Sequence, residues 1–178
     1  MLLFVAFIFF VFAKGAVARN GAQSAADAAA LAAAQEVRDE LTDGFLDGLE
    51  SGDWEEWLEG EEFLGDGRAA AVDLASANDA TLTDLGTGTL DGKPSFEAGV
   101  ETNYAVGDSL IPGTENIRAK ARATAVIEPR CTVDVDIDPS KKVKFMCDGS
   151  GDWEIDPKDP GDVELPEAKD LFAVHLAD

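Results

Sequence analysis

The 178-residue, 18.8 kDa chain has room for one modest domain and one long element, and its size excludes two full domains. Its 36 acidic residues against 14 basic ones set a formal net charge of −22, a field that repels phosphate backbones and excludes nucleic acid as a partner. A hydrophobic content of 46% and a mean hydropathy of −0.07 exclude wholesale disorder. The charge is uneven: +1 over residues 1–35, −18 over 36–115 and −5 over 116–178.

Residues 1–13, MLLFVAFIFFVFA, carry no polar side chain. Exposing Leu2, Leu3, Phe4, Val5, Phe7, Ile8, Phe9, Phe10, Val11 and Phe12 to water forfeits roughly 15–30 kcal/mol of gross transfer free energy. A helix that is apolar all round has no solvent side, so some partner must cover every face. Three coverings compete. Ala16-Val17-Ala18 has the small-residue form of a signal-peptide cleavage site, yet no basic region precedes the apolar run. A membrane anchor needs about 20 apolar residues, which this segment approaches only if Lys14 snorkels and the helix continues through Gly15 to Ala18. The third covering is other copies of the same segment in a polymer.

From Arg19 the chain reads RNGAQSAADAAALAAAQEVRDEL, free of proline and dominated by alanine, the strongest helix former. One helix is predicted from about Leu2 to Leu41, roughly 60 Å long. Gly15, Ala18, Ala22, Ala25, Ala26, Ala29, Ala30 and Ala33 recur at three- and four-residue steps, a pattern that lets helices approach closely. This predicts a packing rod and favours the polymer.

The apolar run followed by Gln23-Ser24-Ala25-Ala26-Asp27-Ala28-Ala29-Ala30-Leu31-Ala32-Ala33-Ala34 resembles the helix of the tight-adherence (TadE/TadG-like) pilus proteins, especially forms from high-GC Gram-positive bacteria. The resemblance implies a type IV pilin-like subunit of a helical homopolymer. Its partners would be a prepilin peptidase, the pilus assembly machinery and, before assembly, the cytoplasmic membrane. Its destination would be an extracellular filament on the cell surface. Type IV pilins usually carry a glutamate at the fifth position, where this chain has Val5, and no glycine-ended leader precedes Met1, as expected if Met1 is the mature N-terminus. Without that glutamate, subunits are expected to register through Lys14 or Arg19 paired with Asp27, Glu36 or Asp39 of a neighbour, because an unpaired charge in a packed core is costly.

Residues 45–67 space Phe45, Leu49, Trp54, Trp57, Leu58 and Phe63 as one face of short helices broken at Gly48, Gly52 and Gly60, with Asp and Glu between them. The expectation is an amphipathic cap packed on the globular part, and the competing reading is an acidic aromatic patch around Trp54 and Trp57 that binds a partner. Thr81, Thr83, Thr87 and Thr89 form a cluster open to O-linked modification.

Residues 95–106 and 117–127 alternate with the period of half-exposed strands. Placing Val106 opposite Ile117 sets Glu101 against Arg122, Phe96 against Ile127 and Tyr104 against Ala119. In a second hairpin, Cys131 opposite Cys147 sets Val133 against Phe145, Val135 against Val143, Asp134 against Lys144 and Asp136 against Lys142, with a turn at Asp138-Pro139-Ser140. One register satisfies every pair, which predicts a Cys131–Cys147 disulfide and an oxidising compartment; two reduced cysteines on one sheet face are the alternative. The tail begins as an acidic loop and ends in LFAVHL, a strand that ties the C-terminus to the sheet.

Asp148, Ser150, Asp152, Asp156 and Asp159 suggest calcium, but Trp153 stands where an EF-hand loop needs glycine. Gly107-Asp108-Ser109-Leu110 spells the nucleophile motif of the GDSL hydrolases, yet Asp170 precedes the lone His175 by five residues and not three, and no strand–helix alternation follows Ser109. No enzyme, cofactor or metal site is expected. The fold expected is α+β: a helix over residues 1–44, an acidic helical cap over 45–80, and an antiparallel β domain over 81–178 with one disulfide. The expected function is structural, with a membrane-anchored minor pilin or surface protein as the alternative.

Overall fold

The computed structural model describes residues 2–60, 63–105, 116–133, 142–156 and 165–177, without the side chains of residues 2–12 and 50. The fold is α+β, as expected: one long helix, an antiparallel sheet domain and one disulfide. Helix α1 (Leu2–Ser51) spans 50 residues, about 75 Å. It is followed by α2 (Glu55–Leu58), α3 (Arg68–Ala77), β1 (Ala80–Leu90), β2 (Lys93–Ala105), β3 (Arg118–Pro129), β4 (Cys131–Val133), β5 (Val143–Cys147), β6 (Gly151–Ile155), α4 (Ala168–Leu171) and β7 (Phe172–Leu176).

Helix α1 runs ten residues past the expected end at Leu41, through Gly48, and stops before Gly52, which with Gly60 has the positive φ of a break. A Cβ on Gly44 would collide with the indole of Trp57, and one on Gly48 would meet the backbone of Asp53 and Trp54, where the chain doubles back. The cap then closes as expected. Phe45, Leu49, Trp54 and Leu58 are buried, with Trp57 and Phe63 packed against them. The Phe45 ring meets Trp54 edge-on at 6.2 Å and Phe145 edge-on at 5.5 Å, so a single side chain joins helix, cap and sheet.

The strands form two antiparallel sheets, ordered β1-β2-β3-β7 and β4-β5-β6. β1 is a strand that the threonine-rich sequence concealed. It joins β2 through a two-residue turn at Asp91-Gly92, both with positive φ, the conformation such a hairpin requires. The expected register between β2 and β3 holds only at Ala105, which pairs with Arg118. From Glu101 inward it is displaced by two residues, with Glu101 opposite Lys120 and Phe96 opposite Ala125. Inward- and outward-facing sets survive a slip of two. The gain is ionic: Lys120 pairs with Glu101 at 2.9 Å, while Arg122 reaches both Glu97 and Asp84. The irregularity is closed by buried Thr102, whose hydroxyl donates to the Tyr104 carbonyl at 2.8 Å and accepts from the Ala119 N–H at 3.1 Å.

The second hairpin has the expected register, with Cys131 opposite Cys147 and Val133 opposite Phe145, and the disulfide is formed. Its loop of sequence separation 16 is worth roughly 3 kcal/mol of stability. Val135, Asp134, Asp136 and the 138–140 turn lie outside the described residues. Lys144 faces Glu154 across β5 and β6, and Lys142 forms an ion pair with the same carboxylate. Thus part of the tail expected to be loop is strand β6. The closing strand, β7, pairs with β3 from Phe172–Pro129 to Leu176–Ala125, as LFAVHL suggested.

Candidate functional site

The alanine stripe of α1 has a different employment from the one its spacing suggested. Ala22, Ala25, Ala26, Ala29, Ala30, Ala33 and Ala34 are 0% exposed inside the single chain. Small side chains let the sheet and α3 reach the helix backbone; a Cβ on Gly67, at the start of α3, would collide with the main chain of Ala33. The stripe is therefore the chain's own core. Among the described side chains Ala18 is the first that is buried, and Ala13, Lys14, Ala16 and Val17 are exposed. The domain leaves the root of α1 uncovered, and the backbone helix continues back through residues 2–12, whose sequence is wholly apolar.

The charged residues expected to register subunits fall into two groups. Lys14 and Arg19 are exposed at the root. The acids are all engaged within the chain. The Gln23 amide donates to Asp27 at 2.8 Å and to the Arg122 carbonyl at 3.3 Å, beside a cleft of about 280 Å³ that reaches Thr124 and Leu176. Glu36 accepts from the Ala70 N–H at 3.1 Å, and Asp39 pairs with Arg38 at 2.7 Å. Glu40 accepts from the N–H groups of Leu64 at 2.7 Å and Gly65 at 3.0 Å. Glu36 and Glu40 thus hold α3 and the segment before it against the helix, while Asp27 and Asp39 are bonded to side chains of α1 itself.

An acidic groove of about 430 Å³, lined by Asp43, Asp47, Asp53 and half-buried Trp57 among others, opens beside the cap. Trp54 takes no part in a surface patch, because it is 2% exposed. Thr81, Thr83, Thr87 and Thr89 all lie exposed on β1, an edge strand of the four-stranded sheet.

The residues raised for catalysis do not converge. Gly107, Asp108, Ser109 and Leu110 lie outside the described residues. His175 is exposed on β7 and faces Glu128 at 3.4 Å, while Asp170 accepts from the Glu167 N–H at 2.9 Å to cap α4. Glu128 also pairs with Lys93, and that lysine, ahead of His175, holds the carboxyl below its usual range. Of the suggested calcium ligands, Asp148 and Ser150 sit in or beside the β5–β6 turn, Asp152 points from β6 into solvent, and Asp159 is outside the described residues.

Residues 1–36 match the family described as putative Flp pilus-assembly TadE/G-like. The match covers the apolar segment, the exposed root and the buried alanine stripe, and supports a relation to Flp/Tad pilus assembly carried by the helix alone. Comparison with curated proteins and with solved structures returned no match for the chain. Among the described residues, no helix is long and apolar enough to cross a membrane.

Proposed function

We propose that this chain is a structural subunit of a Tad-like surface filament, held to its copies through the apolar start of α1. The observation that carries this reading is the division of α1: the domain buries one face of the helix from Ala18 onward and leaves the root at Ala13 to Val17 exposed, and the wholly apolar sequence before that root needs a covering. The match over residues 1–36 supports the same relation. The outer face of the four-stranded sheet carries the Asp84–Arg122–Glu97, Glu101–Lys120 and Glu128–Lys93 ion pairs, a surface suited to water at the filament exterior. A contact that repeats without closing a ring generates an open helical polymer. The role is structural and not catalytic, and the disulfide fits an extracytoplasmic address.

One observation favours the alternative of a membrane-anchored minor subunit that does not polymerise alone. With the alanine stripe used internally, only about 24 Å of helix, residues 2–17, remains for contacts between copies. Electron microscopy of sheared filaments, with intact mass spectrometry of their protein, separates the two. Regular filaments built from this chain establish the major subunit. Recovery of the chain from membranes alone, with none in filaments, establishes the alternative.

A further inference from the structure

The exposed root of α1 is part of a larger surface. The Gln23 amide bonds the Arg122 carbonyl, and Asp27 shares a cleft with Thr124, so α1 and β3 run side by side in the same direction. Going back four residues along β3, from Arg122 to Arg118, covers about 13 Å, which brings Arg118 level with the helix near Lys14 to Arg19. Ile117, next to Arg118, is 51% exposed, and Val17 is 67% exposed. Tyr104, 39% exposed, sets its hydroxyl against Gly21, one turn above Val17, and precedes Ala105, the partner of Arg118. Three apolar or aromatic side chains and two cations, Lys14 and Arg19, therefore surround the point where α1 leaves the domain, and Arg118 adds a third cation at the same end of the sheet, on the outer face it shares with Lys120 and Arg122.

We propose that this ring, Val17, Tyr104 and Ile117 with Lys14, Arg19 and Arg118, is a collar that seats the subunit on the headgroup layer of an anionic bilayer before assembly. The proposal rests on the reading that residues 1–13 enter that membrane. Three observations select a lipid surface. The collar is continuous with an apolar segment that has no solvent face. Its composition, aromatic and aliphatic tips beside Arg and Lys, is that of groups that settle at the boundary between hydrocarbon and water. Its sign opposes the rest of the molecule: residues 1–35 carry +1 in a chain of −22, and Asp27, the first acid of α1, lies about 12 Å beyond Arg19, more than a Debye length. The acidic remainder is repelled by the same lipids, so attraction and repulsion together set the domain upright on its root. Letting Lys14 snorkel extends the apolar helix to Ala18, about 25 Å, and places the collar where hydrocarbon ends.

The test uses the full chain reconstituted with phosphatidylglycerol-containing vesicles, with phosphatidylcholine vesicles and in detergent micelles, read by flotation and by amide exchange. Exchange at residues 102–105 and 116–120 is expected to slow several-fold on the anionic vesicles alone, while residues 143–147 are unchanged. In R19Q/R118Q, which loses two charges each worth about fivefold in binding to such a surface, the slowing disappears while flotation persists. Y104S/I117S behaves the same way. Flotation without the slowing, or equal slowing in micelles, overturns the collar and leaves the insertion reading intact. Slowing that follows protein density and ignores lipid charge also overturns it, and assigns the ring to a second copy. Failure of the chain to float overturns both readings.

Discussion

Two lengths of the same helix solve opposite problems. Beyond Ala18, α1 presents alanine, and the chain's own sheet and α3 close over one face of it until Ala22, Ala25, Ala26, Ala29, Ala30, Ala33 and Ala34 have no contact with water. Before Ala18 its sequence is phenylalanine, leucine and valine, and the described root, Ala13, Lys14, Ala16 and Val17, is exposed. Side-chain size decides which partner is possible: small residues permit a sheet to approach the backbone, while large ones offer area to whatever surrounds the helix. A pattern of small residues in a helix is thus evidence of close approach and says nothing about whether the approaching element belongs to the same chain.

The largest blow to the enclosed half is Phe45→Ala, which removes the ring between Trp54 and Phe145. Denaturant titration is expected to show a loss of about 3–5 kcal/mol; a loss under about 1 kcal/mol breaks the picture of one core joining helix, cap and sheet. Next, Cys131→Ser with Cys147→Ser is expected to cost roughly 3 kcal/mol, measured against the disulfide-bonded protein. The sharpest contrast comes from one substitution made twice. Ala29→Leu overpacks a fully buried position and is expected to lose about 1–3 kcal/mol or more, whereas Ala16→Leu, on the exposed root, stays within about 0.5 kcal/mol in folding stability. Equal effects at the two sites would erase the division of α1.

The smallest effect belongs to the outer sheet face. Lys93, with His175 behind it, lowers the Glu128 pKa from its ordinary 4.5, so this pair contributes stability above that value and loses it as the pH falls through the lowered one. Glu128→Gln is expected to cost at most about 1 kcal/mol at neutral pH, since the pair is exposed, and to match the parent in acid well below pH 4.5. A gap that widens in acid gives the wrong sign and removes the pair as its source.

The helix, the disulfide hairpin and the closing strand were legible because each rests on a local signal: alanine without proline, a register in which cysteine meets cysteine and apolar meets apolar, a compact LFAVHL run. The end of α1 was not legible. Gly48 read as a breaker, and only the position of Asp53 and Trp54 shows that it is a gap left for a neighbour. Strand β1 escaped because Thr and Gly give no apolar alternation, although the Asp91-Gly92 pair between it and β2 was the available signal. The two-residue slip of β2 against β3 was invisible because either register keeps the same residues on the same faces. Of the exposed root, the sequence disclosed the apolar run and Lys14 and Arg19, but Tyr104, whose hydroxyl lies against Gly21, comes to the helix only through folding.

The absence of a break in α1 has a mechanical corollary. Because α1 runs unbroken from Leu2 to Ser51, whatever grips its start also steers its end. Over about 75 Å of rod, a tilt of about 10° at the apolar end swings the capped end sideways by about 13 Å. The acidic cap is carried at the tip of that lever, so a small change of angle at the gripped end becomes a large change in the reach of the charged face.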